Sequence, residues 1–250
     1  MEEKIQNILD QDIIEKVSEP TGWVSPPVVA PKKDQSQTRL NMEMRVANKA
    51  IPHRHTQHPT IDDVVNELSG SAVFSHLDMS KGCHQLKLKE SSRYITFLTH
   101  IGLYRYKRLN YGTRSAAEIF QGTIREELTK DLNGVFNISD DIIVHGCDTR
   151  EHDANLKAPL EKSRKKNVTF NKAKCEVSKD CVVYYRLMFS NDTVSPDPCK
   201  VKAIKSAGCP RNAAELNSFL CTVRCSSRFM EASQYQKAAC KLGEFTDQKD

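Results

Sequence analysis

Apolar residues along this chain recur at two spacings, every three or four positions in some stretches and in short β-branched or aromatic runs in others, which predicts helices interleaved with strands. Ile5, Ile8, Leu9 and Ile13 predict a first helix over 5–17, ended by Glu19-Pro20-Thr21-Gly22. A Pro-rich extended stretch follows, in which Val28-Val29-Ala30 and residues 39–45 read as hairpin arms around a basic loop over 32–37. Thr60 is placed to cap a helix with Asp62 and Asp63 in its first turn, Ile61, Val64, Val65 and Leu68 on one face, and Gly70 just past its end. Ser115 with Glu118 has the capping-box spacing for a helix carrying Ile119, Phe120, Ile124 and Leu128. Thr149 opens another, running over 151–165. Near the C-terminus Asp197-Pro198 starts a short helix, and Asn212 with Glu215 starts one whose Leu216, Phe219, Leu220 and Val223 form a core face.

Two of the strand-like runs carry carboxylates. Val73-Phe74-Ser75-His76-Leu77-Asp78 reads as a buried strand ending in a lone Asp, and Val135-Phe136-Asn137-Ile138-Ser139-Asp140-Asp141-Ile142-Ile143-Val144 holds two adjacent Asp residues inside an apolar stretch. Neighbouring carboxylates repel, so this arrangement makes sense if they crown a β-hairpin beneath something positive, for which a divalent metal is the obvious candidate. On the local pattern alone the same residues also read as ordinary turn formers, because Asp is common wherever strands reverse.

The surrounding text resembles the reverse transcriptases of gypsy-type LTR retrotransposons. The resemblance is carried, in the family's order, by Pro31-Lys32-Lys33-Asp34 with Arg39-Leu40, Pro59-Thr60-Ile61-Asp62-Asp63, Asp78-Met79-Ser80-Lys81-Gly82-Cys83-His84-Gln85, Gly102-Leu103-Tyr104-Arg105-Tyr106, Ser115-Ala116-Ala117-Glu118-Ile119-Phe120-Gln121 and Val194-Ser195-Pro196-Asp197-Pro198-Cys199-Lys200. It covers roughly residues 10–230. It implies an α+β right-hand polymerase fold: a helical segment over 1–20, fingers and an antiparallel palm sheet over 21–195, a partial helical thumb over 196–230, and a divergent tail over 231–250 that reads as truncated or frameshifted. It implies RNA-directed DNA polymerase activity, with Asp78, Asp140 and Asp141 holding two Mg²⁺ ions (Mn²⁺ as an alternative). Lys32 and Arg39 would clamp the triphosphate, Cys83 would lie under the sugar, Tyr111 and Gly112 under nucleotide and template, and Arg186 with Leu187 would form the primer grip. The implied partners are an RNA or DNA template-primer and deoxynucleoside triphosphates.

Departures from the family pattern point to a competing reading, an impaired copy that only binds nucleic acid or does not fold stably. Ile138 stands where many relatives have Tyr, Cys83 replaces an aromatic residue that excludes a 2′-hydroxyl, Arg186 takes a usual Gly, and Asn41 and Glu43 also differ. Pro159 falls within the 151–165 helix, at a cost of about 3 kcal/mol if interior. Ser163 sits where the stripe begun by Leu156 and Leu160 calls for Leu, at a cost of roughly 2–4 kcal/mol if buried.

Composition changes this picture little. A net charge of +5 and a pI near 8.6 favour a polyanionic partner, and Lys32-Lys33, Arg105 with Lys107-Arg108, Arg164-Lys165-Lys166 and the lysines from 200 to 205 are the candidate phosphate contacts or else solvated faces. Nine cysteines without a Cys-x-x-Cys pair read as free thiols of a reducing compartment. The N-terminus does not read as a signal peptide and no run of 18 apolar residues exists, so the expected location is intracellular with no membrane partner. Neither a Gly-x-Ser-x-Gly nor an Asp-Ser/Thr-Gly signature nor a P-loop is present, which leaves hydrolase and P-loop chemistry without support.

Overall fold

A computed structural model describes residues 2–31, 38–54, 56, 58–90, 95–191, 193–208, 210–224 and 229. Helix α1 (Glu2–Asp10) is shorter than its apolar spacing predicts. It ends in a paired C-terminal motif in which the Asp12 N–H donates to Leu9 O at 2.9 Å and the Ile13 N–H to Ile8 O at 3.0 Å, with Asp12 at φ +55°. Ile13 and Ile14 thereby leave the helix, and Ile14 opens strand β1 (Ile14–Lys16). Their branched side chains suit either element, and pairing of Ile14 with Tyr106 decides for the strand.

That pairing belongs to a sheet ordered β1–β7–β6–β2, with β2 at Val24–Ser25, β6 at Thr96–Thr99 and β7 at Gly102–Tyr106. The expected hairpin forms beside it: β3 (Pro27–Pro31) pairs antiparallel with β4 (Thr38–Met42). Ile5, Ile13, Ile14, Met42, Met44, Ile95, Phe97, Tyr104 and Tyr106 make one core here, with Phe97 tilted on Tyr106 at 5.4 Å between ring centres. A short helix, α2 (Ala47–Ala50), follows. Helix α3 (Ile61–Leu68) carries the expected cap in reciprocal form: the Asp63 N–H donates to the Thr60 hydroxyl at 3.2 Å while the Asp63 carboxylate accepts the Thr60 N–H at 2.7 Å.

The central sheet is antiparallel and ordered β10–β5–β9–β8, comprising β5 (Val73–Asp78), β8 (Val135–Ile138), β9 (Asp141–Gly146) and β10 (Glu176–Lys179). Strand alternation sends Leu77, Ile142, Val144 and Val135 to one face, where they pack with Ala116, Phe120 and Ile124 of helix α4 (Ala116–Ile124) and with Leu128 in the wider π-type turn after it. Phe74 and Ile143 point to the other face, against Val64 and Leu68 of α3 and against Val182, Tyr184, Leu187 and Phe189. Those last four come from a meander of β11 (Cys181–Tyr184), β12 (Leu187–Ser190) and β13 (Thr193–Pro196), from which the chain enters helices α6 (Pro198–Ser206) and α7 (Ala213–Arg224). Both helices start as expected: Asp197 accepts from the Cys199 N–H at 2.9 Å and Asn212 from the Glu215 N–H at 2.8 Å.

Two helix readings are corrected. Ser115 is the N-cap residue of α4 but makes no side-chain capping bond; its hydroxyl donates to Pro52 O at 2.8 Å and accepts the Arg54 N–H at 3.1 Å, so it ties down the 52–54 connection instead. Helix α5 (Thr149–Lys165) runs through Pro159, and its buried positions are His152, Pro159 and Ser163, with Leu156 partly buried on the core. Leu160 is 40% exposed, so the inward stripe is rotated by one position from the one that Leu156 and Leu160 define.

Candidate two-metal carboxylate site

Asp78 ends β5 and Asp141 begins β9, and the two are direct partners in the β5–β9 register. Directly opposed residues share a face with Cβ atoms roughly 4.5–5.5 Å apart, so 62 residues of intervening chain fold to bring two carboxylates side by side. Asp140 is the second residue of the two-residue turn between β8 and β9, and its carbonyl accepts the Met79 N–H at 2.8 Å. The preceding turn residue, Ser139, has φ +53°, and buried Gln121 holds it there. Gln121 accepts the Ser139 N–H at 2.5 Å through Oε1 and donates to Asn137 O at 3.1 Å through Nε2, while Asn137 accepts the Thr129 hydroxyl at 2.8 Å. The acidic turn is therefore fixed from beneath by a buried polar network rather than by its own propensity.

Its electrostatics match a cation site. Burial raises the pKa of Asp140, with the neighbouring Asp141 and Asp78 charges adding to the effect, and Lys174 opposes it. Lys174 places its ammonium 3.1 Å from Asp78 Oδ2, so a positive group already stands against the carboxylates. On the other side, the Asp141 carboxylate accepts from His76 Nε2 at 2.8 Å, which raises the His76 pKa. Three carboxylates at one end of the sheet offer the hard oxygen ligands that a divalent ion of the Mg²⁺ or Mn²⁺ kind takes. Among the described residues no three His, Cys, Asp or Glu side chains are already gathered around an ion position, because Asp78 is turned to Lys174 and Asp141 to His76.

Other residues singled out from the sequence gather here in part. A Cβ on Gly82 would lie 3.4 Å from Asp140 Cβ and 3.5 Å from both the Tyr111 hydroxyl and Phe120, so Gly82 lies among these three side chains. Gly112 adopts φ +88°, and Asn48 clamps the same loop by donating to Gly112 O at 2.9 Å and accepting the Arg114 N–H at 2.8 Å. Cys83 is buried among Leu77, Met79 and Phe120, and burial, with the Asp140 charge behind it, pushes its thiol up to about 11. Arg186 has φ +69° after Tyr185 at φ +45°, so the two form the turn joining β11 to β12, where a left-handed Arg costs roughly 1–2 kcal/mol. Leu187 is buried beside Tyr184, whose hydroxyl donates to Asp141 O at 3.1 Å, linking this hairpin to the acidic pair. Lys32 lies outside the described residues, and so does the Arg39 side chain, although the Arg39 backbone pairs with Ala30.

His76, Gln121, Lys174 and Tyr184 escaped the sequence reading as site residues. Gln121 and Tyr184 lay in or beside recognised runs, and His76 sits two positions before Asp78 on the same strand face, which was a usable signal. Nothing local marks Lys174; the segment reaches the site because the Asn171 N–H donates to Asp78 O at 2.8 Å and Met79 bridges to Phe170. The basic cluster at 105–108 is spent internally. Arg105 donates to Glu15 at 2.6 and 2.8 Å, and Lys107 and Arg108 are paired with Asp12. Lys200, Lys202 and Lys205 on α6 make no such ion pair among the described residues, and Lys202 and Lys205 line an open groove with Met188, Pro196 and Val201.

A neighbour of the site carries a pH signature. Burial lowers the His84 pKa to about 4, with the charges of Lys81 and Arg108 acting in the same direction, and its Nε2 has no hydrogen-bond partner among the described residues. The unfolded chain binds this proton near pH 6.5 and the folded chain only near pH 4, so stability is full above about 6.5 and is lost as pH falls toward 4, by about 3 kcal/mol. Urea unfolding from pH 7 to 4.5 should show this loss, and His84→Gln should flatten that part of the profile; an unchanged slope would place the proton uptake elsewhere.

An antiparallel sheet carrying acidic residues at one end, backed by helices on one face and flanked by a second sheet and a hairpin, defines a right-hand polymerase fold. The structure of a foamy viral protease-reverse transcriptase bound to double-stranded DNA superposes with a TM-score of 0.87 at 19% identity, covering 96% of this chain and 42% of that one. The chain belongs to the family described as reverse transcriptase (RNA-dependent DNA polymerase), whose model matches residues 30–206. It is 30% identical over 266 aligned positions to the retrovirus-related Pol polyprotein from transposon 412 of Drosophila melanogaster, and 29% identical over 225 to that from transposon gypsy of the same organism. These alignments cover 98% and 87% of this chain, which spans about a fifth (21%) of each polyprotein.

Proposed function

We propose that this chain is the RNA-directed DNA polymerase part of a retrotransposon Pol protein. The observation that supports it most is the pairing of Asp78 with Asp141 across β5 and β9, with Asp140 on the adjoining turn, in a chain of this family. In this reading a primer 3′-hydroxyl attacks the α-phosphorus of a deoxynucleoside triphosphate and pyrophosphate leaves. Asp78, Asp140 and Asp141 would hold two Mg²⁺ or Mn²⁺ ions, which lower the pKa of the attacking hydroxyl and neutralise charge on the leaving phosphates. Lys174 must swing off Asp78 as an ion binds, and its 63% side-chain exposure leaves it room to do so. Tyr111 and Gly112 would floor the nucleotide and template, Lys32 and Arg39 would clamp the triphosphate, and Cys83 leaves the sugar without an aromatic wall. Arg186 and Leu187 would carry the primer terminus. Lys200, Lys202 and Lys205 are the described lysines best placed to meet phosphates.

Primer extension on an RNA template with purified protein and Mg²⁺ or Mn²⁺ tests this directly. Incorporation of deoxynucleotides is expected, and its absence with both ions, from protein that melts cooperatively, would sink the polymerase reading. Template-primer binding should weaken roughly 10–100-fold between 50 and 200 mM salt if about three phosphates are contacted. A remnant that only binds is the second reading. It is favoured by Pro159 inside α5 and by the buried Ser163 hydroxyl, which has no partner among the described residues, and it predicts salt-sensitive binding without extension.

A further inference from the structure

Asp141 is the member of the acidic set held by two side chains from elsewhere in the fold. His76 Nε2–H donates to its Oδ1 at 2.8 Å, and the Tyr184 hydroxyl donates to its carbonyl at 3.1 Å. The same two rings touch each other, edge to face, with centroids 6.0 Å apart and planes at 67°. The register explains how they meet. His76 and Asp78 alternate onto one face of β5, Asp141 pairs with Asp78 and Ile143 with His76, so the imidazole lies diagonally across from the carboxylate. Tyr184 reaches that face from the end of β11, immediately before the Tyr185-Arg186 turn, where burial raises its pKa and keeps the hydroxyl a donor. His76 itself is half buried, with an exposed Glu176 as its partner on β10, and the Asp141 carboxylate stays 45% exposed. A carboxylate on a flexible stem next to a turn would otherwise sample several rotamers; here one oxygen is held and the other is left for a cation.

We infer that His76 is a positioning residue for Asp141, and that His76 and Tyr184 together form a latch connecting the β11–β12 hairpin to the orientation of that carboxylate. The inference rests on the polymerase reading, because it assigns His76 to the ion site of that reaction, but it concerns this chain's own side chains. A hydrogen-bond partner behind a ligating carboxylate fixes its geometry, and its loss characteristically weakens metal binding about 10–100-fold. The latch also gives the primer-side hairpin a direct mechanical line to the ion site: a shift of β11 moves Tyr184, and Tyr184 bears on both His76 and the Asp141 backbone.

The test is Mn²⁺ binding without nucleotide, followed by the electron paramagnetic resonance signal of the free ion, on the parent protein and on His76→Leu, His76→Gln, Tyr184→Phe and Asp78→Asn. His76→Leu should raise the Mn²⁺ dissociation constant about tenfold, and His76→Gln, which keeps an N–H near the position of Nε2, should restore it to within about threefold of the parent. Tyr184→Phe keeps the packed ring and loses only the hydroxyl; it should weaken binding about threefold, and it carries the test if His76→Leu does not fold. In primer extension the latch variants should show the loss in the Mn²⁺ concentration needed for half-maximal rate more than in the rate at saturation. Binding that falls with Asp78→Asn but is unchanged in the His76 and Tyr184 variants overturns the latch alone, as does an equal loss with Leu and Gln. Binding indifferent to Asp78→Asn overturns the ion site, and the latch with it.

Discussion

Asp140→Asn should reduce nucleotidyl transfer by about 10³-fold or more while template-primer affinity stays within about twofold. The size follows from what a hard ligand contributes: several kcal/mol of transition-state charge stabilisation, of which about 4 kcal/mol is a thousandfold in rate. Binding rests instead on distributed Lys and Arg contacts to phosphate, which this substitution does not touch. The structure adds a sign that separates loss of chemistry from loss of fold. Burial and two adjacent carboxylates already disfavour charge on Asp140, so an isosteric neutral side chain relieves repulsion in the ion-free protein. The melting temperature without metal should therefore hold or rise, and the extra stability conferred by Mn²⁺ should shrink. Asp78→Asn should cost the same order of rate, but it also strips the partner from the Lys174 ammonium, which offsets the repulsion with Asp140 that it relieves. Activity of Asp140→Asn within tenfold of the parent would remove Asp140 from the reaction.

What the sequence disclosed, and what it hid, divides by range. The acidic turn, the Thr60 cap, the Asp197-Pro198 start and the β3–β4 hairpin are written in residues a few positions apart, and all four stand in the structure. Ile13 and Ile14 fit the apolar period of a helix and the composition of a strand equally; β7, some 90 residues on, resolved the choice. Ser115 had the residue and spacing of a cap, but Pro52 and Arg54 offered its hydroxyl other partners. The 105–108 cluster read as either a phosphate contact or a solvated face, and Asp12 and Glu15, carried on a preceding segment, pair with it instead. Lys174 reaches Asp78 only because the chain returns beneath β5 after α5. Motifs thus gave the acidic centre, and strand alternation from Asp78 marked His76, whereas the supporting roles of Gln121, Tyr184 and Lys174 depend on contacts that no local pattern encodes.

The double change Pro159→Ala with Ser163→Ala should stabilise the protein by roughly 3–5 kcal/mol. Pro159 is inside the helix, where the ring removes one backbone hydrogen bond and crowds the carbonyl of Asn155, a cost of about 3 kcal/mol against Ala. Part of that is offset because the ring is buried, and losing its apolar area gives back about 1 kcal/mol. Ser163 is 2% exposed and its hydroxyl has no partner among the described residues, so Ala removes an unsatisfied polar group worth roughly 1–3 kcal/mol. The two positions are four residues apart on one face, so the sum should be checked by a double-mutant cycle rather than assumed. For a chain of this length a gain of that size raises the melting temperature by roughly 6–20 °C at 2–4 °C per kcal/mol. Leu160→Ala is the matched control. If the inward stripe ran through Leu160 it would lose about 2–4 kcal/mol, whereas at 40% exposure it should lose under about 1 kcal/mol. A double variant no more stable than the parent would show that α5 has relaxed around both residues, and the case for an impaired copy would lose its structural support.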